Sequence, residues 1–423
     1  MGILNIKDLK ADMVLADDLK DRSGRLLITK GTVLDEKHLK ICKMWGVIEA
    51  NIEGVSTEEV NASAVNELSD ALVSAATKSV HKRFYLTDME HPAIQELVRL
   101  SILRTAEGRK IDHDNYREVY WFEQEIEDME RKKPLNIRPD ELINDQTKLA
   151  TLPGIYHQIL DAISKPNSSA HDIENVISKD PSLSVRLLKI VNSAFYGYPS
   201  KIDTLSRAVN IVGTKQLSTL AIGVKIICAF KDIPSEIVNM KMFWKHSILC
   251  GICARILAGY KNIQNTERMF VAGLIHDIGR LVLYNYLPRE SCYIMMQARK
   301  NKHLLFQEER NMFGIDHAMI GGQLLAKWQM PMSLEDTVQH HHDPQKSKNR
   351  LESSIIHLSD IIANTMGVGT SGEKLSPPLD PEAWRQIGLT SNVLSLTIDQ
   401  ADHQLDSIFD LIYIDEGSRQ KKY

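Results

Sequence analysis

The chain has 423 residues, 43% hydrophobic and 25% charged, with a formal net charge of −4. That length suits two or three globular domains, and the charge gives no overall nucleic-acid signature. The longest apolar run, LSTLAIGVKIICAF, carries Lys225 and is too short for a membrane span, so it reads as a core helix. The opening MGILNIKDLKADMV has no basic start ahead of an apolar stretch, so no signal peptide is expected, and Ile6 stands where a myristoylation start has Ser or Thr. Cys42, Cys228, Cys250, Cys253 and Cys292 are sparse and odd in number, which points away from a disulfide framework and toward a reducing cytoplasm. Cys250 and Cys253 form a C-x-x-C pair inside an apolar helical run with no second pair to complete a zinc site, and they read as small core residues.

Residues 1–56 read as a small α+β module. The runs MVLADDL, RLLITKGTVL and WGVIEANI are strand-like, Gly24, Gly31 and Gly46 punctuate them, and LDEKHLKICKMWG predicts a short helix ending at Gly46. Residues 57–136 read as a helical connector. VNELSDALVSAATKSV and HPAIQELVRLSILRTA are amphipathic, and the charged YREVYWFEQEIEDMERKKP stops at Pro134; a solvent-facing or homodimer-forming helix pair would explain its charge. Residues 137–366 are a dense series of helices. Asp180 with Pro181 predicts an N-cap and first helical position, with Leu183, Leu187, Val191 and Ala194 on one face. Leu217, Leu220, Ala221, Val224 and Cys228 form the apolar face of a second helix. Residues 367–423 read as a loop, GVGTSGEKLSPPLDP, followed by a helical tail over 381–417.

Several histidines stand where metal ligands could: His246 in FWKHS, His276 with Asp277 in LIHDIG, His317 in FGIDHAMIGG, and His340, His341 and His342 in VQHHHDP. Asp360 follows in IIHLSDIIAN. Imidazole and carboxylate suit zinc, iron, manganese or nickel, and such a set could hold two ions sharing a carboxylate and clamping a phosphoester. Each element alone is weak, because a lone helical histidine is more often a core or surface residue. A triple histidine can equally be a polar helix end.

In combination these segments resemble the HDOD family, related to the HD superfamily of metal-dependent phosphohydrolases. KLATLPGIYHQIL, ISKDPSLSVRLLKIVNSAFYG, IDTLSRAVNIVGTKQLSTLAI, FWKHS, GLIHDIGRLVL, DHAMIGGQLLAKWQMP and HHHDP stand in family order over about 140–366. The segment NIKDLKADMVLADDLKDRSGRLLITKGTVLDEKHLKICKMWGV looks like the small domain that often precedes HD-GYP and HDOD domains. The implied fold is mainly α, an HD-type helical bundle with a small N-terminal module and a connector.

The related HD-GYP phosphodiesterases degrade cyclic di-GMP and bind metal through a His, a His-Asp pair, a His, a His-His pair and a final Asp. Carried over, the implied ligands are His246, His276, Asp277, His317, His341, His342 and Asp360. His341 and His342 are taken over His340 because they directly precede Asp343 and Pro344. Asp277 and Arg280 are the implied catalytic positions.

Three departures weigh against catalysis. The chain continues DPQKSKN where a GYP signature belongs, Met242 stands where some of those enzymes have a glutamate, and Arg280 replaces a lysine. Arg280 could hold a phosphate or form a surface salt bridge. In NSAFYG, Asn192, Phe195 and Tyr196 could line a groove or pack the helix end under a Gly197 cap.

The expectation is a cytoplasmic bacterial signalling protein with one or two divalent transition-metal ions. Its HDOD domain would bind a regulatory protein partner or a small ligand, with no membrane role. The alternatives are a phosphohydrolase acting on cyclic di-GMP or another nucleotide or phosphoester, and a purely structural metal site.

Overall fold

The short strand-like runs at the N-terminus form two small antiparallel pairs. The computed structural model describes residues 2–5, 9–20, 26–44, 47, 49–54, 70–108, 138–143, 154–164, 169–193, 195–196, 198, 200–230, 233 and 237–413. β1 (Gly2–Asn5) pairs with β4 (Glu49–Ile52) in the register Leu4 to Ala50, and β2 (Leu19–Lys20) pairs with β3 (Leu26–Ile28). Between them lies α1 (Glu36–Met44). Leu4, Leu15, Leu34, Cys42 and Ile52 share one buried cluster.

The chain divides into two compact units. One comprises Met1–Lys82, Met89–Arg109 and Leu389–Leu396; the other comprises Arg83–Asp88, Lys110–Gly388 and Thr397–Tyr423. The boundaries expected near 57 and 137, the charged helix before Pro134, the expected turns or caps at Gly24, Gly46 and Gly197, and Ala194 all lie outside the described residues. α2 (Asp70–Arg83) and α3 (Pro92–Ala106) follow the amphipathic runs read from the sequence.

The chain is mainly α. After the short α4 (Pro139–Leu142) come α5 (Gly154–Ser164), α6 (Ala170–Ser178), α7 (Pro181–Val191), α8 (Leu205–Val212) and α9 (Thr214–Ala229). Next are α10 (Met240–Tyr260), α11 (Thr266–Ile275), α12 (Ile278–Tyr286), α13 (Pro288–Asn301), α14 (Leu305–Phe313), α15 (His317–Lys327), α16 (Met332–Gln339) and α17 (Arg350–Met366). α18 (Pro381–Ile387) and α19 (Asn392–Ile412) close the series. The helical pattern read over 381–417 forms two helices, α18 ending at Gly388, whose φ of +58° suits glycine. On α9 the buried set extends past the expected face to Ser218, Ile222, Ile226 and Ile227, so the helix is enclosed on more than one side. Among the described residues no helix is long and apolar enough to cross a membrane.

The start of α7 is as the sequence reads. Asp180 Oδ1 accepts the N–H of Leu183 at 2.9 Å, Pro181 opens the helix, and the same carboxylate pairs with Lys225 of α9. Partial burial disfavours the carboxylate, but Lys225 and the Leu183 N–H outweigh it and hold the Asp180 pKa below its ordinary value. For a depressed carboxylate, the stabilisation is present above the unfolded-state pKa and is lost as pH falls through the folded-state value. Asp180→Ala should therefore cost about 1–2 kcal/mol at pH 7. Asp180→Asn, which keeps a capping acceptor, should cost less. In urea unfolding, the gap between wild type and Asp180→Ala should shrink as pH drops below about 4; a gap independent of pH would refute the ion-pair contribution.

Two pairs of glycines let helices meet backbone to backbone. A Cβ on Gly273 of α11 would lie 2.7 Å from Cα of Gly251 on α10. A Cβ on Gly279 of α12 would lie 2.0 Å from the carbonyl oxygen of His317 and 2.8 Å from the amide nitrogen of Gly321 on α15. α10 also packs along α17. These approaches bring the ends of α11, α12 and α15 to one place.

Candidate metal centre

His276 and Asp277 occupy the break between α11 and α12, where His276 is the C-cap of one helix and Asp277 the N-cap of the next. An N-cap aspartate ordinarily accepts a backbone N–H of the first turn. Asp277 makes no such bond, and its two oxygens face imidazoles instead. Oδ1 lies 2.9 Å from His317 Nε2, and Oδ2 lies 3.3 Å from His276 Nε2 and 3.7 Å from His246 Nε2. Asp360, on α17, turns Oδ1 to His246 Nε2 at 3.3 Å and to His276 Nε2 at 3.4 Å, and accepts Asn364 Nδ2 at 2.7 Å. His342 Nε2 lies 3.0 Å from His317 Nε2. The seven residues singled out as ligands thus have their side chains together. His340 does not join them: its ring turns to the carbonyl of Asp336, 2.9 Å away.

Ring orientation follows from the partner of each Nδ1. His276 Nδ1 donates to the carbonyl of Gly273 at 2.7 Å, His341 Nδ1 to the carbonyl of Val338 at 2.7 Å, and His317 Nδ1 to Glu309 Oε2 at 2.6 Å. Each ring therefore presents Nε2 to the cluster as a bare acceptor whenever the imidazole is neutral. His246, His276, His317 and His341 are fully buried, and the Nε2 atoms of His246, His276 and His341 have no hydrogen-bond partner among the described residues. His246 Nε2 and His276 Nε2 still face the carboxylates of Asp277 and Asp360, whereas His341 Nε2 has neither a hydrogen bond nor an ion pair among the described residues, an orphaned atom that would cost about 1–3 kcal/mol. The potential ligand atoms of His317, His341 and His342 all lie within 4.8 Å of one another, as do those of His246, His276 and Asp277. Imidazole nitrogens bound side by side to one ion at the usual bond length stand roughly 3 Å apart, close to the His317–His342 separation. These donors could hold a metal ion, and Asp277 faces both groups.

Without an ion, charge is distributed unevenly. Burial disfavours a charged His276, but Asp277 outweighs it and holds the pKa well above the ordinary value. Burial and the Arg280 charge push His317 down, while Glu309 and Asp277 prevail and bring it up to about 9. Burial, with the charges of His276 and His317, takes His341 down to about 3, and burial with His341 and His317 takes His342 well down. Burial alone would raise Asp277, but Arg280, His276 and His317 hold it well below the usual range. Burial likewise works against a charged Asp360, and His246 and His276 prevail. A bound cation would replace these protons.

Arg280 is 2% exposed, so it forms no surface salt bridge. Its Nε lies 3.5 Å from Asp277 Oδ1 and 3.6 Å from Glu309 Oε1, and its Nη1 donates to Ser371 Oγ at 2.7 Å. Nε also comes within 3.2 Å of His317 Nδ1, but that nitrogen gives its proton to Glu309 and cannot accept another. The segment expected as a Gly/Ser/Pro loop runs buried along the site. Tyr284 Oη donates to the Ser371 carbonyl at 2.6 Å, the Thr370 N–H donates to the Met242 carbonyl at 3.0 Å, and Glu373 Oε2 accepts the Leu305 N–H at 2.7 Å.

Sequence reasoning did not single out Glu309, His357, Asn364 or Ser371. His357 Nδ1 donates to the His341 carbonyl at 2.9 Å and its Nε2 accepts the Asp380 N–H at 3.1 Å, which fixes the turn carrying His341. Glu309 had a signal: it falls among Leu305, Met312 and Phe313 on the buried face of α14, where a lone carboxylate needs a partner. Ser371 had none. In NSAFYG, Asn192 clasps Ile202 through two 2.7 Å hydrogen bonds, and the buried Phe195 meets Phe270 edge-on beneath Arg255. Phe195 is therefore packed within the fold, whereas Asn192 is exposed and ties the end of α7 to the backbone of Ile202.

Residues 149–344 match the family model of the HDOD domain. An uncharacterized protein of Treponema pallidum (strain Nichols) is 29% identical over 248 residues, covering 55% of this chain and 46% of that protein, so the chain spans less than half of its length. An HDOD domain protein of unknown function from Geobacter sulfurreducens has a similar structure at 20% identity, with a TM-score of 0.53, covering 63% of this chain and 93% of that one. A signal-transduction candidate from Marinobacter aquaeolei VT8 is similar at 20% identity, with a TM-score of 0.51, covering 74% of this chain and 72% of that one.

Proposed function

We propose, from the HDOD domain that this chain carries over residues 149–344, that it is a cytoplasmic bacterial signalling protein. In this reading the His/Asp cluster holds one or two divalent transition-metal ions, and the helical surface binds a regulatory protein partner or a small ligand. Iron, manganese, zinc and nickel all suit the donor set. The observation that carries the regulatory reading is enclosure. His246, His276, His317 and His341 are fully buried, Asp277 and Asp360 nearly so, and Arg280 is committed to two carboxylates and Ser371. A catalytic site needs an open coordination position and a free group to hold substrate. Here the cation that would hold a phosphate is already paired.

A second reading, a phosphohydrolase acting on cyclic di-GMP or another phosphoester, draws support from Asp277, whose two oxygens face two histidine groups. A bound divalent cation would supply Lewis acidity for that chemistry. The two readings separate in an assay of full-length protein loaded in turn with manganese, iron or nickel. Cyclic di-GMP hydrolysis should not rise above the Asp277→Ala background. Robust hydrolysis that disappears in Asp277→Ala would overturn the regulatory reading.

A further inference from the structure

We propose that Glu309 is the positioning residue of the centre, fixing the ring of His317 and strengthening that imidazole as a metal donor; this rests on the reading that the cluster binds metal. Glu309 is 2% exposed. A carboxylate so buried is costly unless its charge and lone pairs are all answered. Its Oε2 accepts both the backbone N–H of His317, at 2.9 Å, and the ring Nδ1–H of the same residue, at 2.6 Å, while its Oε1 lies 3.6 Å from Arg280 Nε. One side chain thus grips a single histidine at two points and sets both the start of α15 and the plane of the ring.

The grip decides which nitrogen faces the centre. With the Nδ1 proton committed to Glu309, Nε2 is left toward Asp277 Oδ1 at 2.9 Å and His342 Nε2 at 3.0 Å. At that spacing these three atoms are bridged by a proton on one imidazole or by a bound cation in its place. Two other histidines of the ligand set, His276 and His341, lean through Nδ1 on the neutral carbonyls of Gly273 and Val338. Among these three, His317 has a carboxylate behind it. A carboxylate is the stronger acceptor, and such a partner raises the donor strength of a ligating imidazole.

The test is calorimetric titration of chelator-stripped, full-length protein with zinc or manganese alone. Glu309→Gln should weaken binding about 10–100-fold. Adding Glu309→Gln to a His317→Ala background should cause no further loss, because the residue acts through that ring. Glu309→Asp keeps a charge for Arg280 but withdraws the reach to His317, and it should also weaken binding; it decides the matter if Glu309→Gln fails to fold. Unchanged affinity in these variants, or an equal loss with His317 already removed, would overturn the role of Glu309 while leaving the metal reading intact. A wild-type protein that takes up no ion would overturn both.

Discussion

Gly279→Ala is expected to destabilise the helical domain by about 3 kcal/mol or more and to reduce metal retention. Two effects oppose each other at this position. Alanine is the better helix former by about 1 kcal/mol, which favours the substitution on α12. Against it, the new Cβ would sit 2.0 Å from the carbonyl oxygen of His317 and 2.8 Å from the amide nitrogen of Gly321. Both neighbours are backbone, so no rotamer change relieves the clash and the helices must separate. That separation acts on the contact between Asp277 and His317, now 2.9 Å apart. Gly259→Ala is the matched comparison, since a Cβ there meets nothing within 4 Å, and it should be neutral or stabilising by up to about 1 kcal/mol. Thermal or urea unfolding of the two variants checks this, and comparable stability of both would contradict the close-approach argument.

The same glycine shows what the sequence could and could not say. His276 and Asp277 were legible through the resemblance of LIHDIG and the segments around it to the HDOD family. That Gly279 is an interhelical contact was not legible, because it depends on where α15 crosses. The α7 cap at Asp180 was readable because capping is local chemistry spread over four residues. The choice of His341 and His342 over His340 came from their place before Asp343. The structural difference is that the His341 ring is anchored to the Val338 carbonyl, whereas the His340 ring is anchored to the Asp336 carbonyl.

Other features lay beyond local pattern. GVGTSGEKLSPPLDP has the composition of a solvent loop, yet Ser371 is buried against Arg280 and Tyr284. Composition reports turn propensity but not what a turn covers. Arg280 was read as a phosphate holder or a surface ion pair because it stands where the resembling enzymes have a lysine; its partners Glu309 and Ser371, 29 and 91 residues away, are not visible in the sequence. Cys250 and Cys253 are buried, in keeping with the close packing of α10 on α11 at Gly251.

The most direct measurement of whether the His/Asp cluster is a metal centre is the metal content of full-length protein purified without chelator, with Asp277→Ala alongside. Asp277 is the informative position because its two oxygens face different histidine groups, so its loss affects both. Wild type should retain one or two divalent transition-metal ions per chain through dialysis. Re-uptake after stripping should weaken as pH falls, because protons compete for the imidazoles. Asp277→Ala should retain markedly less while remaining folded by circular dichroism. A wild-type chain that holds no transition metal and takes up none from excess manganese, iron, zinc or nickel would contradict the claim.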